Sequence, residues 1–456
     1  MYLFYSLLLT IGLIALLPRF LYYALRHGKY IEGLRQRLGQ LPIIDRAGRP
    51  VIWLHCVSVG ETQAARPLAQ ALLEKFTSHQ LVVSTITLTG QRVAREVFGS
   101  QAAAIFYFPF DWAWSVRRAL ASINPCCVLI METELWPNFL RECRRREIAV
   151  ALVNGRLSGG SFRRYKLIPR FTARMVGCLN LALMQAEADA GRIRALGLAS
   201  DRVIVSGNVK FDAGVATGED ALSRELGARF HLVKGRPFIV AASTHAPEER
   251  IIIEALKQLR ATHGIPEARL LIAPRHPERF AETAVLLDSS GLSWARRSSP
   301  QGKLDASCDA ILLDTIGELR AVYPHASVVF VGGSIARTGG HNVLEPAAAG
   351  ACVVTGAHTT NFTAIMSAFL EADALVQLPD LSETEAPSAL ACVFAELLSD
   401  DARRRETAVR ALAVVEQNRG ATERTLKLLA PLLFVPPDEH ELDQTQGARS
   451  SDALSA

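Results

Sequence analysis

The feature that most constrains this chain is an alternation, repeated in two series, of short apolar runs with longer amphipathic ones. Runs rich in β-branched residues read as strands at 51–57 (VIWLHCV), 81–86, 127–131 (CVLIM), 148–153, 181–184 and 203–206. Between them, stretches such as 64–76 and 137–146 carry apolar residues at helical spacing. Strands alternating with helices imply parallel sheet and doubly wound topology. A second series opens at 238–242 and continues through 270–273, 311–313, 328–331 and 352–355. At 456 residues the chain has length for two cores. The expected division is an α/β domain over 27–212, a polar, glycine-containing hinge over 213–236 and a second α/β domain over 237–435. The polar segment 436–456 reads as a disordered tail.

Residues 1–26 stand apart. The first 17 carry no charge and would span about 25 Å as a helix, just short of the ~30 Å hydrocarbon core of a bilayer. No basic segment precedes this run and no small-residue cleavage site follows it, which argues against a signal peptide. Positive charges come after it (Arg19, Arg26, Lys29, Arg35, Arg37) and place the next domain on the cytoplasmic side. A membrane anchor, spanning or lying in the interface, is the preferred reading over a buried or dimerising helix.

The formal net charge of +5 is modest but uneven, because residues 141–170 hold nine Lys/Arg against two acids. Such a basic run is usually a solvated face, and it also suits an anionic membrane or a phosphorylated ligand. No zinc-finger or other nucleic-acid motif occurs, so nucleic acid is not an expected partner. The eight cysteines are scattered, with no C-x-x-C pair and no zinc spacing, and read as reduced core residues.

Several motifs sit where strands end. In Ser58-Val59-Gly60-Glu61, Glu61 either completes a capping box with Ser58 or faces a cleft above the sheet. Glu132 and Glu134 follow the apolar strand CVLIM, where a pair of acids is costly unless solvated or paired. Lys210 lies at the end of the last strand of the first series, as a chemical group or a solvent lysine. In the second series, Gly332-Gly333-Ser334 and Gly339-Gly340-His341-Asn342 form a glycine-rich loop leading into a helix expected to open near Asn342. Small residues there would let N–H groups approach a phosphate, and Glu345 would accept from ribose hydroxyls. Asn342 as a plain N-cap and Glu345 as a first-turn acid are the bland alternatives. Arg275, after the strand LLIA, suits a phosphate or carboxylate, or is a surface residue in a turn. The backbone at Ile316, Gly317 and Glu318 is placed to read a base edge, although Glu318 equally suits a helix start.

In chain order, SVGE at 58–61, FDW at 110–112, METELWPN at 131–138, NGRLS at 154–158, GNVKFD at 207–212, ASTH at 242–245, APRHPERF at 273–280, DTIGEL at 314–319 and GGHNVLEPAA at 339–348 resemble the 3-deoxy-D-manno-octulosonic acid (Kdo) transferases of lipopolysaccharide synthesis. The likeness runs from the anchor to about residue 435 and departs from the family pattern at Gly159-Gly160 and Ala357. It implies a GT-B glycosyltransferase, two Rossmann-like domains facing a central cleft. Kdo would pass from CMP-Kdo to a lipid A precursor (lipid IVA) with inversion at the cytoplasmic face of the inner membrane, whose lipid is a further partner. No cofactor or catalytic metal is implied, and no D-x-D motif is present. By the same resemblance Glu61 is the general base, and Glu132 and Lys210 support the transition state. Pro274, Arg275, Ile316, Gly317, Glu318, Asn342, Val343, Leu344 and Glu345 would bind the CMP of the donor, and the 141–170 run would meet the acceptor's phosphates. The alternative is another GT-B transferase or an epimerase using a UDP-sugar.

Overall fold

The structure, a computed structural model, describes residues 1–27, 33–46, 48–214, 220–232 and 236–433. The tail expected at 436–456, parts of the hinge expected at 213–236, and Lys29 lie outside the described residues. Two compact units form, one from Met1–Ala213 together with the chain from Arg419 onward, the other from Gly214–Asn418.

The first unit holds a seven-stranded parallel sheet of β1 (Val51–His55), β2 (Gln80–Thr85), β3 (Ala104–Tyr107), β4 (Cys127–Met131), β5 (Ala149–Gly155), β6 (Leu181–Met184) and β7 (Val203–Val205), in the order β3-β2-β1-β4-β5-β6-β7. Helices cover both faces, so β1 and β4 are buried at every residue, which is why they read as unbroken apolar runs. On one face Trp53 packs edge-on against Phe106 and Phe139, at ring separations of 5.2 and 5.3 Å. On the other, Leu54 and Leu129 pack with Leu68 and Leu72 of the helix Val59–Lys75.

The second unit repeats the plan. Its seven parallel strands are β8 (Phe238–Thr244), β9 (Arg269–Pro274), β10 (Trp294–Arg296), β11 (Ala310–Leu312), β12 (Val328–Val331), β13 (Cys352–Thr355) and β14 (Val376–Gln377), in the order β10-β11-β9-β8-β12-β13-β14. In the interior of each sheet the strand order reverses direction between β1 and β4 and between β8 and β12, and at the edge of the second sheet β10 lies outside β11.

Strands β3, β10 and β14 were not expected from the sequence. All three lie at sheet edges and have two to four residues, too few for an apolar run to stand out. The compact units also divide the chain differently from the sequence boundaries. The last described helix, Ala421–Leu433, belongs to the first unit and buries Ala421, Leu426, Leu429 and Leu433 in the core beside Leu68 and Leu72. Asp212 fastens the return: its carboxylate accepts the Gly420 and Thr422 N–H groups at 2.7 and 2.6 Å, and Arg424 Nε donates to the Ser206 carbonyl at 3.0 Å.

The N-terminal helix is Tyr2–His27. Among the described residues, no helix is long and apolar enough to cross a membrane. One face of this helix docks on the first unit. Asn138 Nδ2 donates to Ser6 Oγ at 3.0 Å, Trp112 Nε1 donates to Thr10 Oγ1 at 3.0 Å, and Tyr2 and Tyr5 pack on Phe171. The opposite face, with Leu3, Phe4, Leu7, Leu8, Ile11 and Ile14, is more than half exposed at each of these positions.

Because Leu429 is fully buried in the first unit, Leu429→Ala should cost about 2–4 kcal/mol there. Hydrogen exchange should show β1 and β4 losing protection while β8 and β12 keep theirs. Loss confined to the second unit would contradict this division.

Candidate active site

In a doubly wound sheet, loops after the two strands flanking the reversal leave in opposite directions and open a crevice at the strands' C-terminal ends. In the first unit that place lies beyond His55 and Met131, and both Glu61 and Glu132 are there. The turn after β1 leads into the helix Val59–Lys75, capped by Ser58, whose Oγ accepts the Glu61 N–H at 3.4 Å. The Glu61 carboxylate folds back, accepting the Val57 N–H at 2.8 Å and the Ser58 hydroxyl at 3.1 Å. The local geometry is therefore that of a capping box shifted one residue upstream. Its electrostatics differ from a surface box, because Glu61 is only 9% exposed. Burial, reinforced by the charges of Glu132 and Glu134, outweighs the two hydrogen bonds and raises the Glu61 carboxyl to about 7. Hydrogen bonds of a capping box lower a carboxyl's pKa when it is solvated, and at this buried corner desolvation outweighs them. Capping and a poised carboxylate coexist.

Glu132 follows β4 with φ of 55°, a left-handed conformation costly for a residue with a Cβ. Its Oε1 lies 3.0 Å from Lys210 Nζ, with each side chain about one-fifth exposed. Lys210 is positioned by a network that sequence reasoning did not single out. Asn154, also at positive φ, accepts the Val209 N–H at 3.1 Å through Oδ1. Asn208 Oδ1 accepts the Lys210 N–H at 3.0 Å, while its Nδ2 donates to Gln185 Oε1 at 3.1 Å. Gln185 in turn donates to the Asn154 carbonyl at 3.0 Å. The available signal was position: Asn154 lies at the C-terminal end of β5, and Gln185 and Asn208 follow β6 and β7. Glu61, Glu132 and Lys210, widely spaced in sequence, are thus brought to one corner.

In the second unit the glycine loop after β12 is already occupied. The Glu248 carboxylate, 0% exposed, accepts N–H groups from Gly333, Ser334, Ile335 and Ala336 at 2.7–3.1 Å, and from His245 at 3.0 Å. A Cβ on Gly332 would lie 2.8 Å from this carboxylate and 2.7 Å from the Ser243 carbonyl, so glycine is needed for close approach to β8. The expectation that these N–H groups cradle a phosphate is corrected: an internal anion holds them and clamps β8 to β12.

The other expected nucleotide contacts split into free and braced groups. Pro274 ends β9, and Arg275 beyond it is exposed, its guanidinium making no side-chain hydrogen bond or ion pair among the described residues. Ile316 is 81% exposed and Gly317 has φ of 91°, so backbone stands out at this turn. The Glu318 carboxylate is gripped by Arg297 at 2.7 and 3.1 Å and by Thr315 at 2.8 Å, which lowers its pKa. The helix expected near Asn342 begins at Leu344, with Val343 as its cap residue. Asn342 Oδ1 accepts the Leu344 N–H at 3.0 Å and its Nδ2 reaches Glu345 Oε1 at 3.3 Å. Arg320 also donates to Glu345 Oε1, at 2.8 Å, tying the 316–318 turn to the 342–345 turn. His245, after β8, and His341 meet across the reversal, with Nε2 atoms 2.7 Å apart.

Glu248→Gln replaces an acceptor for five N–H groups with an amide whose NH2 opposes some of them. It should cost roughly 2–4 kcal/mol in the second unit, with faster hydrogen exchange at 333–336. Unchanged exchange there would mean the clamp is not needed.

Known proteins resemble the chain in sequence and fold. A family model described as 3-deoxy-D-manno-octulosonic-acid transferase (kdotransferase) matches residues 32–213. The 3-deoxy-D-manno-octulosonic acid transferase of Bordetella pertussis is 37% identical over 381 residues, 83% of this chain and 86% of that protein. Its counterpart from Haemophilus influenzae is 32% identical over 405 residues, 89% and 92% of the two chains. A UDP-GlcNAc 2-epimerase from Neisseria meningitidis covers 83% of this chain and 100% of its own with a TM-score of 0.54, but at 14% identity it shares the fold alone. With this identity sustained across both units, the chain belongs to the 3-deoxy-D-manno-octulosonic acid transferase family, glycosyltransferases of lipopolysaccharide biosynthesis.

Proposed function

We propose that the protein transfers Kdo from CMP-Kdo to the lipid A precursor lipid IVA, with inversion, and that Glu61 is the general base. The observation that carries this reading is the Glu61 carboxyl raised to about 7 beside the Glu132–Lys210 pair at the strand-order reversal. A base poised near the working pH combines a useful deprotonated fraction with appreciable proton affinity. The acceptor hydroxyl gives its proton to Glu61 as its oxygen bonds to the anomeric carbon and the bond to the CMP phosphate breaks. Positive charge builds on the sugar, which a carboxylate such as Glu132 stabilises, while the Lys210 ammonium suits the sugar carboxylate or the departing phosphate. For the nucleotide, Arg275 supplies an unpaired guanidinium, while the exposed turn at Ile316 and Gly317 supplies backbone for the base. Pro274, Glu318, Asn342, Val343, Leu344 and Glu345 shape the pocket, Glu345 keeping Oε2 for a ribose hydroxyl.

We further propose that the N-terminal helix holds the protein at the cytoplasmic face of the inner membrane by lying in the interface. Support comes from its inverted amphipathicity: the polar and tyrosine face docks inward and the apolar face is exposed. Arg141 lies over the Tyr2 ring at 4.7 Å, and Arg144 and Arg174 also act on that tyrosine, so basic side chains suited to anionic headgroups flank the helix.

Glu61→Gln should leave the melting temperature nearly unchanged and lower kcat about 10²–10⁴-fold. In the wild type, turnover should rise as pH increases through about 7, because the deprotonated form acts. The variant should lose this dependence. Near-wild-type turnover at saturating CMP-Kdo and lipid IVA would sink the base assignment. Leu7→Asp with Ile11→Asp, both on the outward face, should abolish flotation with anionic phospholipid vesicles without altering the fold. Retained flotation would rule out this helix as the anchor.

A further inference from the structure

The two histidines at the reversal of the second sheet form an arrangement with a limited set of protonation states. Their rings are parallel to within 4°, with centroids 5.0 Å apart and Nε2 atoms 2.7 Å apart. That combination is a head-to-head hydrogen bond in a common plane rather than a stack of one ring on the other. One Nε2–H must donate and the other Nε2 must present its lone pair, since two N–H groups cannot share the gap. The pair is therefore either neutral or holds a single extra proton with the same hydrogen bond intact. A second extra proton would force the rings apart.

The charges around the pair are unbalanced. His245 is faced by His276, its ring 5.3 Å away edge-to-face, and by Arg275, Arg279 and Glu249; His341 is faced by His245, His276 and Arg275. The nearby acids are already committed. Glu249 accepts two hydrogen bonds from Arg279, both 3.1 Å, and Glu248 is saturated by backbone N–H groups. Burial and these cations keep both rings neutral, with His341 lowered to about 4. Gly333 lets the His341 ring sit close, since a Cβ there would come within 2.9 Å of it. What is left beside Arg275, among the described residues, is a cluster of cationic and protonatable groups whose neighbouring carboxylates are already paired.

We propose that His245 and His341 form a one-proton reservoir for the phosphate of the nucleotide donor, taking a proton from solvent when the anion binds and keeping it while the phosphate leaves. The proposal rests on the CMP-binding reading given above. An anion at Arg275 pairs that guanidinium and attracts positive charge, so both influences that hold the rings neutral weaken. When the sugar–phosphate bond breaks, the phosphate changes from diester to monoester and gains one negative charge. An imidazolium shared by two rings offsets that charge without any movement of the protein. By linkage, a group whose pKa is higher in the complex strengthens binding at low pH, and this contribution is lost as pH rises through the pKa of the bound pair.

The test is calorimetric titration of the full-length protein with CMP at pH 6.5, in two buffers of different ionisation enthalpy, for wild type and His341→Gln. CMP's own phosphate titrates in this range, so the comparison between the two proteins carries the result. Wild type should take up roughly half to one more proton per CMP than the variant, and its affinity advantage should shrink as pH rises. His245→Gln should match His341→Gln, because the pair needs both rings. Equal proton uptake in wild type and variants, with CMP bound, would overturn the reservoir alone; no CMP binding by the wild type would overturn the nucleotide reading as well. If the variants lose melting temperature, 15N-histidine labelling of the wild type decides. Ring nitrogens of one coupled pair should change protonation on adding CMP, and unchanged nitrogens would refute the proposal.

Discussion

A parallel strand delivers its chain to one edge of the sheet, and the only place where two adjacent strands send their loops apart is where strand order reverses. Both units of this protein are built around that constraint. At the first reversal, β1 and β4 bring Glu61 and Glu132 to one corner, and the amides at the C-terminal ends of β5, β6 and β7 set Lys210 against Glu132. At the second, β8 and β12 bring His245 to His341. The chemistry differs between the corners, with carboxylates and a lysine at one and histidines with a free arginine at the other. The backbone arrangement that creates them is the same.

Concentrating polar groups at such a corner has to be offset locally. Glu248 does this by placing a carboxylate where the glycine loop presents its N–H groups, so a buried charge and four otherwise unpaired loop donors satisfy one another. Glu132 and Lys210 form a second, half-buried solution. Among the described residues Glu61 forms no ion pair, and its two local hydrogen bonds do not outweigh burial. That deficit is what sets the raised Glu61 carboxyl apart from the paired Glu132 and Glu248.

The interior strands were legible because burial on both faces leaves no room for polar residues, so VIWLH and CVLIM announce themselves. Short edge strands such as Trp294–Arg296 carry half-polar sequences indistinguishable from loop. Glu61 was legible as a position but not as an environment, since sequence gives the capping spacing and not the desolvation. The glycine loop was misread because its N–H groups are filled by a residue 85 positions away in the chain. The histidine pair had a weak trace, one histidine directly after β8 in ASTH and one in the glycine-rich loop after β12 in GGHN, but nothing local reveals that the two meet. The return of the final helix was invisible for the same reason, as its amphipathic pattern does not name its partner.

That return makes the second unit an insertion between two parts of the first. Asp212, on the outgoing chain, holds Gly420 and Thr422 on the incoming one. During synthesis, the hydrophobic face of the helix Val59–Lys75 must wait for Leu429 and Leu433 until more than three hundred further residues have left the ribosome. The inserted unit, whose sheet is built entirely from strands within Gly214–Asn418, can mature first. The first-made sheet is thus the last to be completed, and its unfinished apolar face is the stage of biogenesis most in need of protection from aggregation.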